Sequence, residues 1–175
     1  MNIRIQTNDI TNFSGDLLII PCNSDLTSKR IGIVQKILEK GGKDLLRELI
    51  AIGYCEVGNA VIVQGYELKA KHIIFMPIAD NNDEEYRINF VGLHQSFRAT
   101  FDLADLYKAK SVAVAGIHIS NKKKDFFKSL WNKYFGDNNE TGALSDGEVE
   151  DIIISTSKNF ENSSIKELII YKYSK

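Results

Sequence analysis

Short apolar runs alternate along the chain with segments whose apolar residues recur every three or four positions. The short runs predict strands, and the spaced patterns predict one-sided helices. The predicted strands are 2–6, 17–20, 60–64, 72–78, 111–117 and 168–171, and the predicted helices are 31–38, 45–50, 90–104 and 149–156. This alternation predicts an α/β fold with a mixed, mostly parallel sheet between helical layers.

Glycine and proline predict where several of these elements end. Gly41 and Gly42 are expected to stop the first helix, and Gly53 the second. Leu17–Ile20 is an unbroken apolar run, which is typical of a strand buried on both faces. Pro21 lacks an N–H group, so it is expected to end that strand's hydrogen-bond ladder.

Polar residues flank the buried strand at both ends. Asp9 and Thr11 precede it in a predicted turn, where short polar side chains bond nearby backbone. Asn23 follows the strand, at the carboxyl edge where open α/β sheets bind ligands. Each residue also has a purely structural interpretation, as a turn residue or a loop anchor. The sequence therefore predicts a candidate site here but does not exclude simple local capping.

Two stretches carry a family resemblance. Asn8–Thr11 and Ile20–Asn23 match the spacing of a G-D-I-T segment followed by N-A-A-N. Cys55–Phe75 is similar to C-x-x-G-x-A-x-x-T-x-G-Y-x-L-x-A-K-x-I-I-H, with Val63 and Phe75 in place of the threonine and the histidine. The chain thereby resembles the macro domain, an ADP-ribose-binding module, up to about Ser120 and again from near Ser145. The resemblance implies a three-layer α/β/α fold for 1–175 as a single domain.

The resemblance also implies roles for individual residues. It assigns Asp9 to the adenine and Asn23 to the distal ribose, and it adds Ile10 to the residues that contact the ligand. Tyr173 is placed either as an aromatic stacked on the base or as a half-exposed strand residue. Two loops would hold the diphosphate. The first contains Lys29, Arg30, Gly32 and Ile33, and the second contains Gly116, Ile117, His118, Ile119 and Ser120.

Both phosphate loops depart from the family pattern. Lys29 and Arg30 stand where glycines are usual, so their cations either contact phosphate directly or belong to a solvated loop. The acidic residue of catalytic members falls near Val34, which cannot polarise water. Asn23, Asp25 and His118 remain weak catalytic candidates, and His118 is equally interpreted as a strand-end residue.

Three functions stay open on these observations. The first is a divergent macro domain that binds ADP-ribose or a related adenine nucleotide diphosphate, free or attached to a macromolecule. The second is a hydrolase acting on ADP-ribose conjugates. The third is a macro fold with a degenerate pocket that serves protein interaction. The family-atypical segment 121–144 is expected to be helical, as a lid, a partner-binding helix or a peripheral helix.

Composition limits the classes of protein and of binding partner that remain open. A net charge of −1 argues against direct nucleic-acid binding. Two cysteines do not make a disulfide framework or a four-ligand zinc site, and no histidine pair has metal-ligand spacing. No apolar run approaches the about 20 residues of a membrane span, and no signal peptide is recognised. The sequence therefore predicts a cytoplasmic protein without a cofactor or metal.

Overall fold

A computed structural model of the chain describes residues 1–28, 31–80, 90–117 and 146–172. Six strands and three helices follow one another in these ranges, with a short 3-10 turn at Ile10–Asn12. In chain order they are β1 (Asn2–Gln6), β2 (Leu17–Asn23), α1 (Gly32–Ile52), β3 (Val61–Gln64), β4 (His72–Ala79), α2 (Phe90–Leu106), β5 (Ser111–Ala115), α3 (Asp146–Lys158) and β6 (Glu167–Tyr171).

The strands form one six-stranded sheet in the order β1-β6-β5-β2-β4-β3. Every neighbouring pair is parallel except β3 with β4, which is antiparallel. This arrangement confirms the predicted α/β class and the mixed, mostly parallel sheet. Because β1 is an edge strand, its apolar side chains are incompletely covered, and Ile5 remains 47% exposed.

Side chains of the sheet alternate between two separate apolar cores. On one face, Leu17 and Ile19 of β2 pack with side chains of α2 and α3. On the other face, Leu18 and Ile20 pack with side chains of α1. All seven residues of β2 are buried. The unbroken apolar run in the sequence is thus explained by a central strand that is covered on both sides.

Helix α1 is two helical segments joined at a kink. Gly42 has φ 83° and ψ −178°, a conformation outside the helical region. The kink lies where the Gly41-Gly42 pair predicted a helix end. Gly53 then ends the second segment with φ 76°, and its N–H donates to the Leu49 carbonyl. Both predicted glycine stops are therefore confirmed as breaks in the helical backbone.

Two predicted strand ends were wrong. β2 continues past Pro21 to Asn23. It pairs with β5 only at Leu17–Ile19, whereas it stays beside β4 to its end. The strand thus has one neighbour where the proline lies, so a missing N–H is tolerated there. β5 also ends at Ala115, two residues before the predicted end.

In the described ranges, no helix combines the length and the hydropathy that a bilayer crossing requires.

Candidate ligand-binding cleft

Three chain segments converge on a cleft of about 220 Å³ at the carboxyl edge of the sheet. The loop after β1 forms one side, the first turns of α1 form another, and the ends of β5 and β6 form the floor. The described lining residues are Asn8, Asp9, Ile10, Gly32, Ile33, Lys36, Ala115, Gly116, Tyr171 and Lys172. Ligand pockets usually measure about 300–1,000 Å³, so this cleft fits part of a nucleotide rather than a whole dinucleotide.

The amino end of α1 opens directly into this cleft. Ile31 occupies the N-cap position and makes no side-chain capping hydrogen bond. A Cβ added to Gly32 would meet no atom of any described residue within 4 Å, so these residues leave the space beside this glycine open. Backbone N–H groups and the positive end of the helix dipole are thus accessible from the cleft. This geometry is suited to an anion such as a phosphate.

Asp9 contributes a carboxylate to the opposite wall. Its Oδ1 accepts hydrogen bonds from the Thr11 N–H at 3.0 Å and from the Thr11 hydroxyl at 2.9 Å. The backbone bond with Thr11 is the main cause that lowers the pKa of Asp9, and the side-chain bond and the charges of Lys36 and Lys40 add to it. The group is therefore an anionic acceptor at neutral pH. Asp9 caps the 3-10 turn and lines the cleft at the same time.

The floor of the cleft is formed by the ends of two paired strands. The N–H of Gly116 donates to the Tyr171 carbonyl at 2.6 Å, which holds the backbone beyond β5 against the end of β6. Ala115 and Tyr171 are buried on the α1 side of the sheet. Burial raises the pKa of the Tyr171 hydroxyl, so this phenol stays protonated and remains a hydrogen-bond donor.

The structure brings five of the predicted site residues together in this cleft: Asp9, Ile10, Gly32, Ile33 and Gly116. Asn23 lies at the same sheet edge but is fully buried and does not line the cleft. Ile117 packs into the core on the α2 and α3 side, away from the cleft. The remaining predicted residues lie outside the described ranges: Lys29, Arg30, His118, Ile119, Ser120 and Tyr173, with segment 121–144.

The described groups around the cleft offer little for catalysis. The first turn of α1 contains no acidic residue, and Val34 is fully buried. Asp25 stabilises its own turn, where its Oδ1 accepts from the Ser28 N–H at 3.0 Å. Burial raises the pKa values of the Cys22 and Cys55 thiols, which keeps both protonated. Among the described residues, no group of three or more metal-binding side chains is assembled.

A second, larger depression lies between α2 and α3, over the opposite face of the sheet. Its volume is about 680 Å³, and its described lining is mainly polar: His94, Gln95, Arg98, Asp102, Ser155, Thr156, Asn159 and Phe160. Among these described lining residues there is no glycine, no helix amino end and no strand end. The cleft at the carboxyl edge is therefore the better candidate, because phosphate binding in α/β folds uses those features.

A family model described as Macro domain matches residues 19–123, which is more than half of the chain. The chain belongs to the macro domain family. The macro domain-containing protein mll7730 of Mesorhizobium japonicum is 31% identical over 118 residues, or 66% of this chain and 64% of that protein. Protein GDAP2 homolog of Dictyostelium discoideum is 24% identical over 118 residues, which cover 67% of this chain and 20% of that protein. The chain thus spans less than two thirds of these relatives.

Solved macro domains share the fold at low sequence identity. The Trypanosoma brucei macrodomain, solved in complex with ADP-ribose, superposes with a TM-score of 0.70 at 15% identity, covering 99% of this chain and 64% of that one. The likeness supports the macro-domain architecture for the described sheet and helices.

Five cleft residues of this macro domain were not predicted from the sequence: Asn8, Lys36, Ala115, Tyr171 and Lys172. A signal existed for two of them. Lys36 lies four positions after Gly32, hence on the same helix face. Tyr171 lies two positions before Tyr173, so in the strand that the sequence predicted to close at Tyr173, alternation would put both on one face. Lys172 follows β6 in irregular backbone, where no periodicity applies.

Proposed function

We propose that this macro domain binds ADP-ribose or a related adenine nucleotide diphosphate in the cleft at the carboxyl edge. The proposal depends on one observation: the Asp9 carboxylate and the open amino end of α1 at Gly32 line the same cleft. A carboxylate accepts a hydrogen bond from an exocyclic amino group. The backbone N–H groups at a helix amino end donate hydrogen bonds to a phosphate. The Trypanosoma brucei relative solved with ADP-ribose supports this choice of ligand.

Each part of the ligand then has a proposed partner. The adenine amino group donates to Asp9, and Ile10 and Ile33 pack against the base. The diphosphate approaches the N–H group at Gly32 and passes close to the backbone of Gly116, since neither residue has a side chain. Lys29, Arg30, residues 118–120 and Tyr173 complete the site, and the distal ribose is assigned to Asn23, which lies buried at the same sheet edge. These last contacts are carried over from the sequence resemblance.

The proposed physiological ligand is free ADP-ribose or an ADP-ribosylated macromolecule. Residues 1–175 are proposed to form one macro domain with an insertion at 121–144. Binding of a protein partner is an alternative role for this insertion. A cytoplasmic location remains a prediction from the sequence.

Hydrolysis of an ADP-ribose conjugate is the main alternative function. It requires a group that activates water beside the anomeric carbon. The described first turn of α1 has no acid to do this, and Asp25 is engaged with the Ser28 N–H. A degenerate pocket that serves protein interaction is the second alternative. The open space at Gly32 argues against it, because the described cleft is not filled by side chains.

Thermal shift and calorimetry with ADP-ribose test the binding proposal. We expect the melting temperature to rise with ligand concentration, since a ligand that binds only the folded state stabilises it by about 2.7 kcal/mol at 100 times Kd. The decisive variant is Gly32→Leu, which fills the cleft from a position where a Cβ meets no atom of the described residues. Its control is Gln35→Leu, on the exposed side of the same helical turn.

We expect Gly32→Leu to fold normally and to lose at least about tenfold in affinity, or 1.4 kcal/mol. Gln35→Leu should bind as the original chain does. Equal affinity in all three proteins would place the ligand elsewhere. No shift with any nucleotide would favour the interaction module, and release of ADP-ribose from a modified protein would favour the hydrolase.

A further inference from the structure

Lys36 is an exposed residue that lines the cleft, on the wall formed by α1. It lies one helical turn after Gly32, and side chains of a helix lean toward its amino end. The space beside Gly32 is open, so the aliphatic part of Lys36 has room to lie along it. The ammonium group therefore belongs to the part of the cleft that Asp9 also lines.

Asp9 and Lys36 face the cleft as two separate charges. Lys36 forms no ion pair and no hydrogen bond with any described residue, although its charge contributes to lowering the pKa of Asp9. Both hydrogen bonds from Thr11 end on Oδ1 of Asp9, and no described residue donates to Oδ2. A strong acceptor and a strong donor are thus both available to the same edge of a ligand.

The edge of a purine base presents a donor and an acceptor side by side. Adenine offers its amino group as donor and ring N1 as acceptor, whereas hypoxanthine and guanine offer O6 as acceptor and N1–H as donor. A carboxylate alone only accepts, so it leaves O6 of a 6-oxo purine without a donor. A lysine beside it removes that penalty, since an ammonium group donates to O6 while the carboxylate accepts from N1–H.

We propose that Lys36, acting with Asp9, makes the cleft accept 6-oxo purine nucleotides, those of hypoxanthine and guanine, as well as adenine nucleotides. Lys36 is then a specificity-determining residue of the base subsite. The proposal rests on the proposed nucleotide-binding function and extends it to a second ligand class.

The test compares ADP with IDP by calorimetry on the full chain, because these ligands differ only at the base edge. Lys36→Met keeps the aliphatic stem and removes the charge. Lys40→Met is the matched control, since Lys40 also acts on the charge of Asp9 but does not line the cleft. We expect the original chain and Lys40→Met to bind IDP within about tenfold of ADP. Lys36→Met should lose at least about fivefold in affinity for IDP relative to ADP.

The outcomes separate this inference from the function on which it rests. Binding of ADP with an unchanged ADP-to-IDP ratio in Lys36→Met overturns the inference and leaves nucleotide binding intact. Equal losses for ADP and IDP also overturn it, because they identify Lys36 as a phosphate contact. Failure of the original chain to bind ADP, IDP and ADP-ribose rejects both proposals. Restoration of the ratio by Lys36→Arg supports a role for the positive charge.

Discussion

Asp16 is the residue at which the starts of three strands are joined. It directly precedes β2, and its Oδ1 contacts the Lys71 ammonium at 2.6 Å, just before β4. Its Oδ2 accepts from the N–H groups of Lys110 and Ser111 at 2.9 and 3.1 Å, at the start of β5. The bond with Lys71 is the main cause that holds the pKa of Asp16 well below its ordinary value. This carboxylate fixes the amino edge of the sheet, opposite the cleft.

We predict that Asp16→Asn destabilises the fold by about 1–3 kcal/mol, because one carboxylate then no longer serves several donors. Urea unfolding at pH 7 measures the loss. The control is Asp44→Asn, whose ion pair with Arg47 has side chains that are 69% and 76% exposed. Exposed pairs contribute about 0–1 kcal/mol, so this control should change little. Equal effects of the two variants would contradict a structural role for Asp16.

The same residue gives a pH dependence with a defined sign. The folded pKa of Asp16 is depressed below its ordinary 3.8, so its stabilisation is fully present above about pH 4. The contribution is lost as the pH falls from there toward the folded pKa. The difference in stability between Asp16→Asn and the original chain should therefore shrink as the pH falls from about 4 to about 2. A constant gap over that range would mean that other carboxyls cause the acid sensitivity.

At the scale of single elements, the kink in α1 depends on Gly42. A φ of 83° with a ψ of −178° is a region that essentially only glycine occupies. A Cβ at this position would also contact the Glu67 carboxylate. Glu67 is exposed and flexible, so it would move away at little cost, whereas the backbone angle cannot relax without straightening the kink. The backbone strain should therefore dominate the effect of any substitution.

We predict that Gly42→Ala lowers the free energy of unfolding by about 1–3 kcal/mol. Gly32→Ala is the matched control, because its Cβ meets no atom within 4 Å in the part of the chain that the structure describes, and its φ is not positive. That change should be neutral or stabilising by about 0.5–1 kcal/mol. Denaturant unfolding measures both. If Gly42→Ala combined with Glu67→Ala recovers full stability, the contact rather than the backbone angle was limiting.

The elements also show why some boundaries were predictable and others were not. The break in α1 depends on the backbone freedom of the glycine pair itself, so it could be predicted from the local sequence. The end of β2 depends on which neighbours remain beside Pro21, and this pairing is set by β4 and β5. No local pattern contains that information. β5 likewise ends where its partner β6 ends, at the pair Ala115 and Tyr171.

For the whole molecule, the fold was more predictable from the sequence than the cleft. Apolar periodicity and motif spacing fix the order of strands and helices, whereas the cleft depends on side chains from distant segments. Asp9 was predicted because it lies in a motif, but Lys36 meets it only after α1 is folded against the turn that follows β1. Asn23 was predicted by the same motif logic, yet its full burial depends on packing that no motif encodes.

The sheet as a whole should act as a partition between two independent cores. Ile19 and Ile20 are adjacent in β2 but belong to different cores, whereas Ile19 and Ile74 are paired across strands within the same core.

An Ile→Val change in a core costs about 0.5–1.5 kcal/mol. We predict that Ile19→Val and Ile20→Val add to within about 0.5 kcal/mol in a double-mutant cycle, because they share no core. Ile19→Val and Ile74→Val should instead show a coupling energy of about 0.5 kcal/mol or more, since truncation of one changes the cavity left by the other. Urea unfolding of the two cycles in one buffer gives both coupling energies. Stronger coupling between Ile19 and Ile20 than between Ile19 and Ile74 would mean that the backbone of β2 transmits strain through the sheet, and the cleft at its carboxyl edge would then respond to packing on the far face.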